Sequence, residues 1–580
     1  MTVSSSLLLT VVYATVTGNS KEVAKRIESE AKSKDIPISV SVTSVADVDV
    51  DTLPLSSHLV YVTSTYGDGE HPEDAEDFWE WLEDGDRPST LFANSHIGVF
   101  GLGDSSFSMF CESAVQVDER LRDLGATPLL PLGMGDEDHE EGIEAALALW
   151  LEGLWQALGA KDKGGDDTPD AVFSCTPCEA PSVDAPPPGY EYVQLTHSEV
   201  ITPATATERP AYMFHMDLGQ TSLEYETGYH LRILPRMPDT AVQCLAKRLD
   251  LDLDSYITVQ ATSTTAVPEG LSEPHTLRDV LGLYLDIAAP VTKSFLKGLI
   301  PFASDATEKD TLMHMASKEG AERFHTEIIE ESVQCFELCR MFPSVSVPLE
   351  HLIELVPANR ARLYSIASSP LLHPREVQLV VRTLGWETPS GKVKQGLCTG
   401  YLADLKVEDN PMLAVQITPS PLQPPPDPMT PMALVGLGCG VAPFRAFMQH
   451  RQALHQEGVQ QGACTMYFGS RKRAEDALCI DEFEAWEKQG LLRYVTAFSR
   501  DQPQKIYVTH RMKEDAANLW KGLGEEDGFF GYCGPSGRTP QDITAIIKGA
   551  LVSEGGLSEG EAEERYRHLS DRGLMVLEAW

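Results

Sequence analysis

The feature that most constrains this chain is an apolar run that passes directly into a glycine loop and then into an amphipathic helix pattern. Residues 7–13 read LLLTVVY, residues 15–20 read TVTGNS, and KEVAKRIESEA follows from Lys21. Strand, loop and helix in that order open a parallel α/β sheet. HLVYVTS and HIGVFGL add two more strands, each short and apolar enough to be buried on both sides. With a further helical pattern from Ile143 to Leu158, residues 1–157 are expected to form a sheet covered by helices on both faces. The opening run falls short of the roughly 20 apolar residues of a membrane span and lacks the basic flank of a signal peptide.

The rest of the chain changes pattern twice. Residues 158–189, with KDKGGDDTP and APSVDAPPPG, read as a linker. Its Cys175 and Cys178 have no second pair nearby to complete a four-ligand zinc site, so no metal is expected and the pair has no assigned role. A strand-like stretch to about 235, a helical region over about 236–345, and the strands RLYSIAS and VQLVVRTL suggest a barrel with a helical insertion across 190–425. PLQPPPDPMTP closes it. Over 426–580, ALVGLG, CTMYFGS, KIYVTH and FFGYCG are expected strands of a second α/β domain. A chain of 580 residues needs several cores in any case.

Charge and cysteine content narrow the function. A formal net charge of -41 disfavours nucleic acid and anionic membrane and suits a partner with a basic docking surface. Eleven cysteines in so long a chain point to a reducing, cytoplasmic setting rather than a disulfide framework.

Three loops at the ends of the first strands can form one ligand site. In TVTGNS, Thr15, Thr17, Gly18, Asn19 and Ser20 offer hydroxyls, backbone N–H groups and a helix amino terminus to a phosphate monoester. No lysine follows as in a nucleoside-triphosphate loop. STYGDGE supplies Tyr66 and Gly67, and GLGDSSFSMF supplies Gly101, Gly103, Asp104 and Phe107. The two aromatics can face opposite sides of a flat ring. Further on, Arg362 in RLYSIASS can bind a pyrophosphate while Tyr364 and Ser365 face a ring. GLCTG holds Gly396, Cys398 and Thr399, and LVGLGCGVAPFRAF holds Gly438 and Cys439 at a strand-to-helix turn. In AFSRDQPQKIYVTH, Ser499, Arg500, Lys505 and Tyr507 form a seat for a phosphate dianion.

Together these motifs, in this order, resemble the diflavin reductases, and FCESAVQVDERLRDLGA is closest in pattern to sulfite reductase flavoproteins and related soluble haemoprotein reductases. The resemblance implies a flavodoxin-like FMN domain, an antiparallel FAD-binding β-barrel with a helical connecting insertion, and a ferredoxin-reductase-type NADPH-binding α/β domain. It implies that Tyr66 and Phe107 flank FMN, and that Arg362, Tyr364, Ser365, Gly396, Cys398 and Thr399 hold FAD. It assigns Gly438, Cys439, Ser499, Arg500, Lys505 and Tyr507 to NADPH. Ser365, Cys533 in GYCGPSG, Glu578 and Trp580 would act at the hydride-transfer site, with Trp580 stacked on FAD. Departures from the family pattern are Phe107 for Tyr, Cys439 for Thr, Thr509 for Gln, Glu578 for Asp, and Thr-Gly-Tyr-His at 227–230 for Pro-Gly-Asp-His. The implied reaction takes electrons from NADPH to FAD to FMN and on to a separate haem, iron-sulfur or other redox protein. GMGDEDHEEG with ALWLEGLWQAL also resembles the diflavin branch that serves cytosolic iron-sulfur assembly. The reading outside enzymes is a flavin-binding interaction protein with weak turnover. Asp68, Glu70, Asp74, Asp77, Asp84, Asp136, Glu137 and Asp138 are the expected acidic docking rim around FMN.

Overall fold

The computed structural model describes residues 7–579 apart from 16–17, 33, 36–37, 51, 66–68, 106–108, 140–141, 162–169, 182–184, 204–208, 220, 263–266 and 318. It divides into two compact units, residues 1–170 with 292–321, and residues 171–291 with 322–580.

In the first unit, β1 (Leu7–Ala14), β2 (Ile38–Ser44), β3 (His58–Ser64), β4 (His96–Gly103) and β5 (Thr127–Pro128) form a parallel sheet in the order β2-β1-β3-β4-β5. A sixth strand, β6 (Gly133–Asp136), pairs with β4. The expected strands and helices of this region all form. Helix α1 (Asn19–Lys32) turns Val23, Ala24, Ile27 and Ala31 inward, the spacing of one helical face. With α4 (Glu144–Ala157) it packs on Val11, Val60 and Phe100. On the opposite face, α2 (Glu76–Glu83) and α3 (Glu112–Asp123) pack on Val12, Tyr61 and Val99. Gly101 is fixed by that packing, since a Cβ there would lie 2.5 Å from the Cβ of Ala114.

The second unit begins with β7 (Phe173–Cys178), in the segment expected to be a linker. It pairs antiparallel with β11 (Tyr256–Ala261), which pairs in turn with His275–Thr276. Flanking proline and glycine hid this strand: only six residues are extended, and Phe173 is its one fully buried anchor. Cys175 and Cys178 stand three apart on an extended chain, so they point to opposite faces. Burial pushes the Cys175 thiol up to about 12, with the Glu350 carboxylate adding to the shift.

The barrel sheet runs β12-β10-β14-β8-β9-β13, all antiparallel, from β8 (Glu191–Val200), β9 (Ala211–Asp217), β10 (His230–Leu234), β12 (Arg362–Ser365), β13 (Glu376–Arg382) and β14 (Met412–Thr418). Its two edge strands meet just past β12, where Ile366 bridges Leu379 and Ala367 N–H donates to Gln378 O at 2.7 Å. Between β10 and β12 the chain is mainly helical, as expected, with β11 and a second short strand inserted.

The last sheet is wholly parallel, in the order β17-β16-β15-β18-β19: β15 (Met432–Leu437), β16 (Cys464–Ser470), β17 (Arg493–Phe498), β18 (Phe529–Gly534) and β19 (Met575–Ala579). KIYVTH is not a strand. A helix starts at Val508 and buries Val508 and Met512, four apart, so its β-branched and aromatic residues gave a misleading signal; the strand of this region is RYVTAF at 493–498.

Helix α5 (Leu397–Asp404) takes in all of GLCTG beyond Gly396, its amino-terminal cap, so the expected second FAD phosphate loop is the first turn of a helix; α6 (Ala442–Gln456) follows the glycine turn after β15. Helix α6 is buried continuously from Ala442 to Gln449, the pattern of a helix covered on all sides. One core joins its Phe444, Phe447 and Met448 to Leu434 and Met466 of the parallel sheet and to Met213, Ala367 and Val380 of the barrel. Arg445 is 7% exposed inside this layer. Its Nη1 donates to Ala367 O and Gln378 Oε1, both at 2.7 Å, while Nε and Nη2 grip Glu482 at 2.7 and 2.9 Å. Arg445→Met fills the space but leaves those acceptors unpaired. It should lower the stability of the second unit by about 1.5–3 kcal/mol, read as a reduced urea midpoint. Glu482→Gln should do less, because the Glu482 side chain is 40% exposed and water can replace the contact.

Candidate functional site

The loops expected to bind FMN lie past the carboxyl ends of β1, β3 and β4, the ligand edge of a parallel sheet. Thr15 N–H donates to both oxygens of Asp74 at 3.1 Å, and Gly18 N–H donates to Thr15 Oγ1 at 2.8 Å. Gly18 has φ +93, a conformation that favours glycine, and it turns the chain into α1. The Ser20 side chain is fully buried in the first turn of that 14-residue helix, and its Oγ has no hydrogen-bond partner among the described residues. An orphaned hydroxyl at a helix amino terminus fits a phosphate. Asn19 Nδ2 donates to Glu137 Oε1 at 2.9 Å, and Ser105 N–H, just beyond Gly103 and Asp104, donates to Asp136 Oδ1 at 2.9 Å. Thr17, Tyr66, Gly67 and Phe107 lie outside the described residues.

These contacts revise the expected acidic rim. Asp74, Asp136 and Glu137 tie loops together, and Asp84 accepts from Asp86 N–H and pairs with Arg87. Glu70, Asp77 and Asp138 are exposed, as are Asp84 and Glu137, whereas Asp74 and Asp136 are half-buried; Asp68 lies outside the described residues.

In the second unit, β10 and β12 pair so that His230 lies opposite Ser365. Arg362 Nη2 reaches Asp286 at 3.5 Å. Burial raises the Asp286 carboxyl, and Arg362 opposes that rise. The Tyr364 hydroxyl is pushed up by burial, then by Cys398 beside it. Burial pushes the Cys398 thiol up to about 11 against the pull of its hydrogen bond with Tyr364. Gly396 stands at the start of α5, where Thr399 Oγ1 donates to Gly396 O at 3.3 Å and accepts from Leu384 N–H at 3.2 Å. That open helix start and the cation beside a half-buried tyrosine suit a flavin dinucleotide. Gly438 has φ +57, with open space where a Cβ would stand, and Cys439 follows in the turn into α6.

Elements remote in sequence converge on Glu578 near the end of β19. Its Oε1 accepts from Ser365 Oγ at 2.9 Å, from His230 Nε2 at 3.0 Å and from Cys533 Sγ at 3.7 Å; Oε2 accepts from Ser420 Oγ at 3.0 Å. A carboxylate only accepts, so His230 Nε2 carries the proton. Burial alone would raise the Glu578 carboxyl. The hydrogen bond and charge of His230, with the Ser365 and Ser420 hydroxyls, outweigh it and hold the group below the ordinary glutamate value. Cys533 is wholly buried, and its thiol is pushed far up by burial and then by the Glu578 carboxylate. It is a neutral thiol touching an ion, not a thiolate nucleophile.

Thus the structure brings Ser365, Cys533 and Glu578 into one cluster and adds two residues not expected there. His230 had a signal, the histidine of the 227–230 motif. Ser420 had none, since it sits at the edge of the proline-rich stretch. Trp580 lies outside the described residues. Ser499, Arg500, Lys505 and Tyr507 fall in the loop between β17 and the helix at 508–514. Ser499 and Arg500 are anchored through their N–H groups to Ser470 O and Arg471 O at 3.1 and 2.7 Å. The Arg500 and Lys505 side chains are exposed and have no ion-pair partner among the described residues, which leaves two uncommitted cations in an acidic chain.

Comparison with known proteins finds three family matches along the chain. Residues 11–150 match the flavodoxin family, 192–401 the FAD binding domain, and 434–538 the oxidoreductase NAD-binding domain. The chain is 29% identical to an NADPH–cytochrome P450 reductase of Drosophila melanogaster, over 100% of this chain and 88% of that protein. It is 30% identical to NADPH-dependent diflavin oxidoreductase 1 of Danio rerio, over 98% of this chain and 99% of the relative. The diflavin oxidoreductase 1 of Arabidopsis thaliana is also 30% identical, over 99% of both. The chain belongs to the diflavin reductase family, taking electrons from NADPH through FAD and FMN to a separate redox protein.

Proposed function

We propose that Ser365, Cys533 and Glu578 form the hydride-transfer site and that the acceptor is a haem or iron-sulfur protein with a basic docking face. The observation that carries the first part is the single carboxylate, Glu578, accepting hydrogen bonds from the barrel and from the nucleotide sheet at once. When bound, the nicotinamide and FAD supply the two-electron chemistry; the protein's work is alignment and charge. Ser365 Oγ is held toward Glu578, and the buried thiol of Cys533 keeps water from that side. With the nucleotide bound, the ionised Glu578 carboxylate would stabilise positive charge developing on a nicotinamide beside it. By family resemblance Trp580 would cover the FAD ring, and the exposed cations Arg500 and Lys505 would bind the 2'-phosphate. No helix among the described residues is long and apolar enough to cross a membrane, and a cytoplasmic setting is part of this reading.

For the acceptor, the haem reading draws on the relatives named for cytochrome P450. The iron-sulfur assembly reading draws on the resemblance of residues 133–157. Glu70, Asp77 and Asp138, exposed carboxylates of the first unit, are the docking groups we favour.

Glu578→Gln should slow NADPH-driven flavin reduction on the order of 10²-fold in stopped flow, with a smaller change in NADPH binding. The stability contributed by ionised Glu578 is present above the unfolded glutamate value of about 4.3 and is lost as pH falls through its lower folded value. The melting temperature of the variant should therefore lie below that of the native chain at pH 7, and the gap should close as the pH drops below about 4. A gap that persists there would separate Glu578 from this charge.

Arg500→Ala with Lys505→Ala should reduce the ratio of NADPH to NADH efficiency by roughly tenfold or more, since each charge-assisted hydrogen bond contributes about 1.5–3 kcal/mol. An unchanged ratio places the 2'-phosphate elsewhere.

Acceptor reduction should slow with added salt when association limits the rate, because screening at physiological ionic strength acts over about 8 Å. Charge reversal at Glu70 and Asp77 should slow it at low salt and matter little at high salt. Equal effects at both would point to damage of the flavin site instead.

A further inference from the structure

We propose that Asp74 is a positioning residue for the phosphate loop of the FMN site, fixing the point where that loop leaves β1, rather than an acceptor-docking charge. The inference rests on the reading that residues 15–20 hold the FMN phosphate. Asp74 lies in the turn Glu73–Ala75, ahead of α2 and 59 residues along the chain from Thr15. Both of its carboxylate oxygens stand 3.1 Å from Thr15 N, a fork that fixes the first peptide past the strand. Thr15 passes the constraint on: its Oγ1 takes the N–H of Gly18, and Gly18 O takes the N–H of Glu22 at 3.1 Å in the first turn of α1. One carboxylate thus governs both ends of the turn that leads to the orphaned Ser20 hydroxyl.

A docking charge belongs on an open surface, whereas Asp74 is half-buried and packs near Tyr61, whose hydroxyl is buried without a partner among the described residues. Burial raises its carboxyl, the Thr15 N–H opposes that rise, and the neighbouring Glu73 adds to it. An anion close to a phosphate site also repels the ligand. A carboxylate kept under both penalties is explained by the geometry it imposes, and that geometry concerns the phosphate end of the ligand alone.

The test uses the full chain depleted of FMN, titrated separately with FMN and with riboflavin, which lacks the phosphate. Asp74→Ala should weaken FMN roughly tenfold or more while leaving riboflavin unchanged, since the lost contact is a hydrogen bond to a charged group. Asp74→Asn keeps an oxygen that accepts from Thr15 N–H and should fall between the two. Amide exchange at Thr15 should quicken in the same order, with FAD content and the melting of the second unit unaltered. Equal weakening of FMN and riboflavin would overturn the proposal by showing a general structural role. Unchanged FMN binding, or tighter binding through relief of repulsion, would overturn it as well. If the native chain binds FMN no more tightly than riboflavin, the phosphate-loop reading itself fails, an outcome distinct from the others.

Discussion

Arg445 makes four hydrogen bonds from a position almost closed to water, two to barrel acceptors and two to Glu482. Burying a guanidinium costs unless its N–H groups are paired, so this position depends most on the two barrel acceptors that water does not reach. That requirement ties the segment just after β12 to the first turn of α6. Gln449 extends the tie by accepting from Ser369 N–H at 2.9 Å, and His450 Nδ1 lies 3.1 Å from Thr227 Oγ1. The apolar core around Phe444 and Phe447 supplies most of the driving force, but it is indifferent to small slips. The polar contacts along one face of α6 set the register in which barrel and sheet meet.

That register is what brings Glu578 to its donors. Its carboxylate stands at the end of a strand in one sheet, and three of its four donors come from the barrel or the chain leaving it. Glutamate places the charge one methylene farther from the backbone than the family's usual aspartate. Ser420 and His230 meet that longer reach on the barrel side. The substitution and its partners are mutually consistent, so the departure does not by itself mark a weakened enzyme.

Much of this was readable in the chain because local chemistry fixed it. LLLTVVY, TVTGNS and the amphipathic stretch after them mark strand, loop and helix by local pattern alone, and Gly18 takes up the left-handed turn that glycine tolerates best. Gly101 reads as a loop residue, yet its constraint is Ala114, across on α3. Where local cues conflicted with tertiary packing, the reading failed. KIYVTH has strand composition but spends its valine in the first turn of a helix whose burial comes from Val508 and Met512. FSCTPC lies among prolines and glycines, and becomes a strand because Tyr256–Ala261 offers an edge 80 residues onward. The same limit applies to the site. Ser365, Cys533 and Glu578 could be named from motifs, whereas Ser420 acquires meaning only from the fold.

The acidic residues show how composition misleads about place. A net charge of -41 invites the inference that carboxylates near the flavin loops face a partner. A loop that presents backbone N–H groups to an anion has other N–H groups that must also find acceptors, and carboxylates are the strongest available. Asp74 on Thr15 N–H, Asp136 on Ser105 N–H and Glu137 on the Asn19 side-chain amide fill that need, from two segments of the chain. Their charge still contributes to the protein's long-range field, which would steer the basic partner proposed above, because that field sums over all carboxylates whatever their hydrogen bonds. The side chains of Asp74 and Asp136, however, are half-buried and held by backbone N–H groups. On the proposed reading, steering and contact fall to overlapping but different residues, and the exposed carboxylates that hold no loop together can be altered with least disturbance of the proposed flavin loops.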